Sequence, residues 1–286
     1  MPEAFATPVS RRQTIATLGA GVAGLALTAP ARAFAPATSG DGTAGADALL
    51  ASIADNLLAH SPEGATSLGI DTGARAAMRA QLGDRSAAGQ QALAATLKAD
   101  LARVRAFDTA GLDHATRTSL AVVDSAYDVA LAGFAQPYGD VAVGGWRNTP
   151  YVVIQNVGAY LDVPKFLDSD HPVKTSADAE AYLARLAAYP AALDGETERL
   201  KAAAAQGLIA PAFLIDKAVK QMEASLADAR EGGGLVESLA SRTREQNIAG
   251  NWGPRAEAIT RETVVPALER QLAELKAQRP KATMDA

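Results

Sequence analysis

The chain has no cysteine, only three histidines, and aromatic residues at 5% of its 286 positions. Without cysteine there are no disulfides, thiolate nucleophiles, iron–sulfur clusters or cysteine zinc sites. Such a chain can also pass through an oxidising compartment unchanged. Scarce aromatics deprive a β-sheet of the side chains it packs best. Basic runs are missing too: 27 Lys and Arg stand against 32 Asp and Glu, a formal net charge of -5, which argues against nucleic acid as a partner. No run of roughly 20 strongly apolar residues occurs, which argues against a stable membrane span. His60, His114 and His171 are far apart, with neither an H-E-x-x-H pair nor a Glu-x-x-His pair. Capping or surface roles are the expectation for all three, with no metal or other cofactor in this chain.

What the chain has in excess is alanine, 66 residues or 23%. With 48% apolar and 21% charged residues, this composition predicts a mainly α, globular multi-helix bundle.

The first 33 residues read as an address. Ser10-Arg11-Arg12-Gln13-Thr14-Ile15 precedes a mildly apolar stretch and then Ala31-Arg32-Ala33, the order of a basic region, an apolar region and an A-x-A cleavage site. Paired arginines and a glycine-diluted apolar region are the pattern of a twin-arginine (Tat) signal. We expect export by the Tat translocase, cleavage after about Ala33 and a periplasmic product. Cleavage removes three arginines and one glutamate, taking the formal charge from -5 to -7. Gly19-Ala20-Gly21-Val22-Ala23-Gly24 fits a dinucleotide fingerprint in form only, since no strand precedes it and cleavage would remove it from the mature protein. Residues 34–45 read as a flexible leader, and 46–286 as a single helical domain, expected to be incomplete.

In that domain, Leu49, Leu50, Ile53, Leu57 and Leu58 share one helical face until Ser61-Pro62 stops it. Patterns over 86–105 and 113–133 complete a first layer of three helices. Thr175 and Asp178 form a capping-box pattern for a helix that Pro190 is expected to kink or break. Helices are further predicted after Pro211, over 235–246, and over 254–278 with a kink at Pro266. Phe213, Leu214, Val219, Met222 and Leu226 are the expected face of the helix after Pro211. Asp124/Asp128 and Asp194/Glu198 sit at one-turn spacing and read as solvated helix surface.

Between Gly133 and Asp170 the periodicity disappears among seven glycines and prolines, with candidate short strands at 141–143 and 151–154 in an irregular stretch spanning about 138–172. A long structureless segment inside a compact domain commonly lines a functional surface. It is the expected wall of a site, with Trp146, Tyr151, Gln155, Tyr160 and His171 as substrate-facing candidates. The alternative for its aromatics is that they plug the bundle.

Three stretches together resemble a bacterial family catalogued as domain of unknown function 885. They are Ser61-Pro62-Glu63-Gly64-Ala65-Thr66-Ser67-Leu68-Gly69; Thr149-Pro150-Tyr151-Val152-Val153-Ile154-Gln155-Asn156-Val157-Gly158-Ala159-Tyr160 with Pro164-Lys165-Phe166-Leu167 and His171-Pro172; and Ala181-Tyr182-Leu183-Ala184-Arg185-Leu186 leading to Leu193-Asp194-Gly195-Glu196-Thr197. The resemblance implies an exported, largely helical, zincin-like metallopeptidase architecture, with a zinc-activated water attacking a peptide carbonyl in full-length relatives. It also implies that their H-E-x-x-x-G-H-H-type metal motif lies in a second half, which this sequence lacks. The expected function is therefore the N-terminal, non-catalytic portion of such a protein, inactive alone, meeting a peptide substrate or the missing C-terminal half. The alternative is a periplasmic helical binding or interaction module without enzymatic activity.

Overall fold

Proline and capping side chains set most of the boundaries. The structure is a computed structural model that describes residues 41–144 and 148–284. Helix α1 (Asp41–His60) ends one residue before Ser61-Pro62, and Pro62 occupies the first turn of α2 (Pro62–Ser67), where its missing N–H costs nothing. A 3-10 helix (Gly73–Ala80) follows. Ser86 Oγ caps α3 (Ala87–Ala106) by accepting from Gly89 N at 3.1 Å, and Asp113 Oδ1 caps α4 (His114–Phe134) by accepting from Thr116 N at 3.0 Å. Beyond the irregular segment come α5 (Ala159–Ser169), α6 (Ser176–Ala205), α7 (Ala212–Arg230) and α8 (Leu235–Glu245). The last pieces are α9 (Trp252–Ile259), a π turn (Thr260–Val264), α10 (Val265–Gln278) and a 3-10 turn (Arg279–Lys281).

Several expectations are corrected. Helix α1 starts at Asp41, so part of the supposed leader is helical, and its extra turn rests near Phe107 and Leu112. The candidate strands do not form. Among the described residues there are only isolated bridges, Asp140 with Thr149 and Ile154 with Val157. Val152, Val153 and Ile154 are all buried, so consecutive side chains plug the core instead of alternating as in a half-buried strand. Helix α5 stands where no periodicity was read. It tolerates Pro164, which removes only the bond to the Tyr160 carbonyl, because Ala159, Tyr160, Val163, Phe166 and Leu167 are buried.

Pro190 likewise does not break α6, whose 30 residues run through it with Tyr189, Ala192 and Leu193 packed on either side. At Pro266 the helix does depart from α geometry. The carbonyl of Glu262 has no N–H four residues on, and the chain widens into the π turn. In α7 the buried face runs through Ile215, Ala218, Met222 and Leu226, while Phe213 is exposed beneath Lys217.

Two apolar cores result. The smaller joins α1, α3 and α4 through Ile53, Leu97, Leu101, Leu120 and Tyr127, the three-helix layer read from the sequence. The larger surrounds α6 and draws in α5 and α7 to α10. Among the described residues no helix is long and apolar enough to cross a membrane.

The N-terminus of α6 carries the predicted capping box. Thr175 Oγ1 accepts from Asp178 N at 3.2 Å, and Asp178 Oδ2 accepts from Thr175 N at 2.9 Å. Thr175→Ala should lower stability in urea unfolding by about 1 kcal/mol. Asp178→Ala should cost more, since its other oxygen accepts from Arg79 at 2.8 Å.

Candidate functional site

The buried face of α6 carries three charged residues, Asp178 at its capped start and then Arg185 and Glu196, and the last two each organise one side of the molecule. Arg185 is fully buried. Its Nε donates to Gln81 O at 2.8 Å, its Nη2 to Met78 O at 2.9 Å and Thr66 Oγ1 at 2.8 Å, and its Nη1 to His171 Nδ1 at 2.8 Å. His171 is fully buried as well, and its Nε2 donates to Asp178 O at 2.9 Å. Accepting at Nδ1 and donating at Nε2 fits only the neutral imidazole. Burial, with the neighbouring Arg185, lowers its pKa to about 4. Burial also lowers Arg185 to about 10, well above neutrality, so its charge is retained. Thr66 passes the network on by donating to Asp71 Oδ2 at 2.8 Å, and the Arg79 guanidinium holds Asp71 down at about 2. Arg79 also pairs with Asp178 and so closes a ring.

Glu196 is 3% exposed and lies at the opposite end of that stripe. Its Oε1 accepts from Arg85 at 2.9 Å and its Oε2 from Ala159 N, the first residue of α5, at 2.7 Å. Burial pushes its pKa upward, while Arg85 and the positive end of α5 favour the ionised form. Burial works against Arg85's charge, but Glu196 and Asp162 more than reverse it and leave its pKa above the usual range. Gly195 makes this pair possible, since a Cβ there would lie 2.9 Å from Ser86 N. Bare backbone lets the 85–86 turn settle on α6.

Around this pair runs a two-lobed groove. Its polar lobe, about 370 Å³, is walled by Glu63, Arg85, Asp140, Asp162 and Glu196. Its apolar lobe, about 360 Å³, is walled by Ala94, Phe134, Pro137, Tyr138 and Val152. Gln90, Val141 and Arg199 belong to both lobes. Arg199 straps the irregular segment to α6, with Nη2 donating to Gly139 O at 2.7 Å and Asp140 Oδ1 at 2.8 Å. An extended chain with charged or polar groups at one end and an apolar side chain at the other matches these two lobes.

The irregular segment does wall the groove, but not through the residues singled out for it. Trp146 lies outside the described residues, as do the signal segment and residues 34–40. Tyr151 is half-buried against the larger core. Gln155 is half-buried, and its Oε1 has no hydrogen-bond partner among the described residues. Tyr160 and His171 are corrected to interior positions. Tyr160 Oη donates to Ile154 O at 3.0 Å and lies 2.9 Å from Gln221 Oε1, while His171 is committed to Arg185 and Asp178. The groove residues Arg85, Asp140, Asp162 and Arg199 were missed because they stand in turns or on polar positions. Glu196 had a legible signal, a charge three residues after Leu193 and seven after Tyr189 on an apolar stripe.

Elsewhere, Arg105 pairs with Asp124 at 2.6 Å and Asp128 at 2.7 Å, Arg270 with Asp194 at 2.6 Å, and Lys201 with Glu198 at 2.8 Å, all on the surface as expected. His60 Nε2 lies 2.9 Å from Thr96 Oγ1, and His114 is exposed at the start of α4. Among the described residues no three His, Asp or Glu side chains are placed to hold a metal ion.

The helical fold is similar to that of a solved protein, described as "the putative lipoprotein from Colwellia psychrerythraea", with a TM-score of 0.72 at 18% identity. The match covers 85% of this chain and 42% of that one, so the chain spans less than half the neighbour's length. Residues 62–286 match the family described as "Bacterial protein of unknown function (DUF885)", and the chain belongs to that family. No curated protein matches it.

Two measurements follow. An unfolded histidine titrates near 6.5, whereas folded His171 titrates at about 4, so the unfolded chain gains a proton first as pH falls. Stability is complete above 6.5 and should decline between 6.5 and 4 by up to about 3 kcal/mol. Asp71 acts lower, between its ordinary 3.8 and about 2, where acid removes the stability its charge supplies. Urea unfolding from pH 7 to 4 should show a smaller decline for His171→Gln than for the wild type, and equal declines would mean that His171 is not held neutral. Arg199→Ala should raise hydrogen exchange at the Asp140 and Thr149 amides about tenfold or more, leaving the α6 amides unchanged.

Proposed function

We propose that this chain is the non-catalytic, substrate-facing portion of an exported zinc-metallopeptidase-like protein of unknown substrate, inactive alone. The observation that carries the reading is the coverage: a fold that takes up 85% of this chain is only 42% of its solved neighbour. The peptidase class comes from the resemblance of the three quoted stretches. The residues of this chain do not fit a zinc ion, because its three histidines are separately engaged or exposed, and no step through zinc is assigned to it.

Its contribution is the groove. Arg85, Asp140 and Glu196 would meet the charged or backbone groups of a peptide, and the lobe beside Phe134 and Tyr138 would take an apolar side chain. Export rests on the twin-arginine segment, which delivers a folded chain to the periplasm through the Tat translocase. A second reading is a periplasmic helical binding or interaction module without enzymatic activity.

The purified chain, mixed with a peptide library, should bind peptides without cleaving them, with or without added zinc. Cleavage that survives a chelator would place catalytic residues within the chain and overturn the non-catalytic reading. A cooperative monomeric melt without binding of a hydrophobic dye would favour the module, whereas aggregation or dye binding would favour a portion of a larger core.

A further inference from the structure

The face of α5 that does not line the groove borders a second cavity of about 360 Å³, at the lower end of the roughly 300–1,000 Å³ typical of small-molecule sites. Its wall is mostly apolar, formed by Pro164, Tyr189, Leu235, Val264 and Leu268. Three helices have irregular hydrogen-bond ladders here: α5 at Pro164, α6 at Pro190 beside Tyr189, and the last helix at the π turn. Proteins often keep π turns where a ligand binds.

Two polar features distinguish this cavity from a packing defect. Thr260 lines it from the π turn and is 2% exposed, yet its hydroxyl has no hydrogen-bond partner among the described residues. A helical threonine ordinarily bonds back to the carbonyl four residues earlier, as Thr263 does to Ile259 at 2.7 Å. Thr260 makes no such bond, and a buried donor without a partner is costly enough to call for an occupant. The second feature is the rim. A Cβ on Gly233 or Gly234 would come within 2.3 Å of an Asp228 carboxylate oxygen, so the glycine turn leaves that carboxylate lying over it. Asp168 and Lys165 complete the charged lining, giving two carboxylates against one ammonium, and none of the three makes an ion pair among the described residues.

We propose that this cavity binds a small apolar amine bearing a hydroxyl at its far end. The ammonium sits between Asp168 and Asp228, the apolar body lies against Val264 and Leu268, and the hydroxyl meets Thr260. The negative rim selects a cation over an anion, and the buried hydroxyl selects a polar group at depth over bare hydrocarbon. Neither feature belongs to the peptide groove, so the inference stands apart from the proposed function.

Calorimetric titration of the full chain with tyramine tests it. Tyramine should bind at submillimolar to millimolar concentrations. 2-Phenylethylamine, which lacks the hydroxyl, should bind about five- to tenfold more weakly. In Thr260→Val, a near-isosteric change, the two amines should bind alike. 3-(4-Hydroxyphenyl)propanoate should bind at least about tenfold more weakly than tyramine, and Asp228→Asn should narrow that gap. Val264→Phe, which fills the cavity, should abolish binding, with its melt recorded to show that it folds. No tyramine binding up to about 10 mM would overturn the proposal. So would binding unchanged in both Thr260→Val and Asp228→Asn.

Discussion

Arg185 carries a positive charge into the interior, and no carboxylate touches it among the described residues. A buried charge without a counter-ion persists only if every donor is satisfied. Here carbonyls, one hydroxyl and one imidazole do the work, and Phe166 lies under the guanidinium at 4.7 Å. Each acceptor comes from a different part of the chain: α2, the 3-10 helix, the turn after it and the loop before α6. Satisfying one guanidinium therefore fixes the 62–81 segment against the long helix and forces His171 to stay neutral. The carboxylates that favour the charge, Glu63 and Asp71, act without touching it, Asp71 through the Thr66 hydroxyl, while Arg79 opposes it.

The groove depends on the same helix. With the N-terminal half of α6 anchored through Arg185, its C-terminal half presents Glu196 and Arg199 on successive turns. Glu196 locks Arg85 and the first turn of α5, and Arg199 holds the irregular segment through Gly139 and Asp140. The quoted stretches that resemble the family supply five residues of this scaffold: Thr66, His171, Arg185, Gly195 and Glu196.

Helices with strong local signals were legible. Thr175 caps where the sequence predicts, and Ser86 and Asp113, where two further helical patterns begin, also cap, because capping needs only a short side chain and the next three residues. Two prolines misled. Pro164 and Pro190 suggested loops or breaks, yet the burial of Tyr160, Leu167, Tyr189 and Leu193 outweighs one lost backbone bond. The run from Val152 to Ile154 looked like a strand because local pattern reports burial without reporting a partner, and no partner strand exists for it among the described residues. Tyr160 and His171 looked like site residues on amphipathic grounds, and their polar atoms turned out to face inward acceptors.

The sequence by itself determined the helical class, the three-helix first layer, the capped starts and the family, since all of these follow from spacing over a few turns or from short motifs in order. Tertiary structure alone decided which charges are buried, which turn meets Glu196, where the groove and the second cavity open, and which tautomer His171 adopts. Most of those properties arise from pairs more than 100 residues apart, such as Arg85 with Glu196 or Arg185 with Thr66. Electrostatic and steric complementarity at that separation leaves no periodic trace in the chain, so only the packed molecule reveals it.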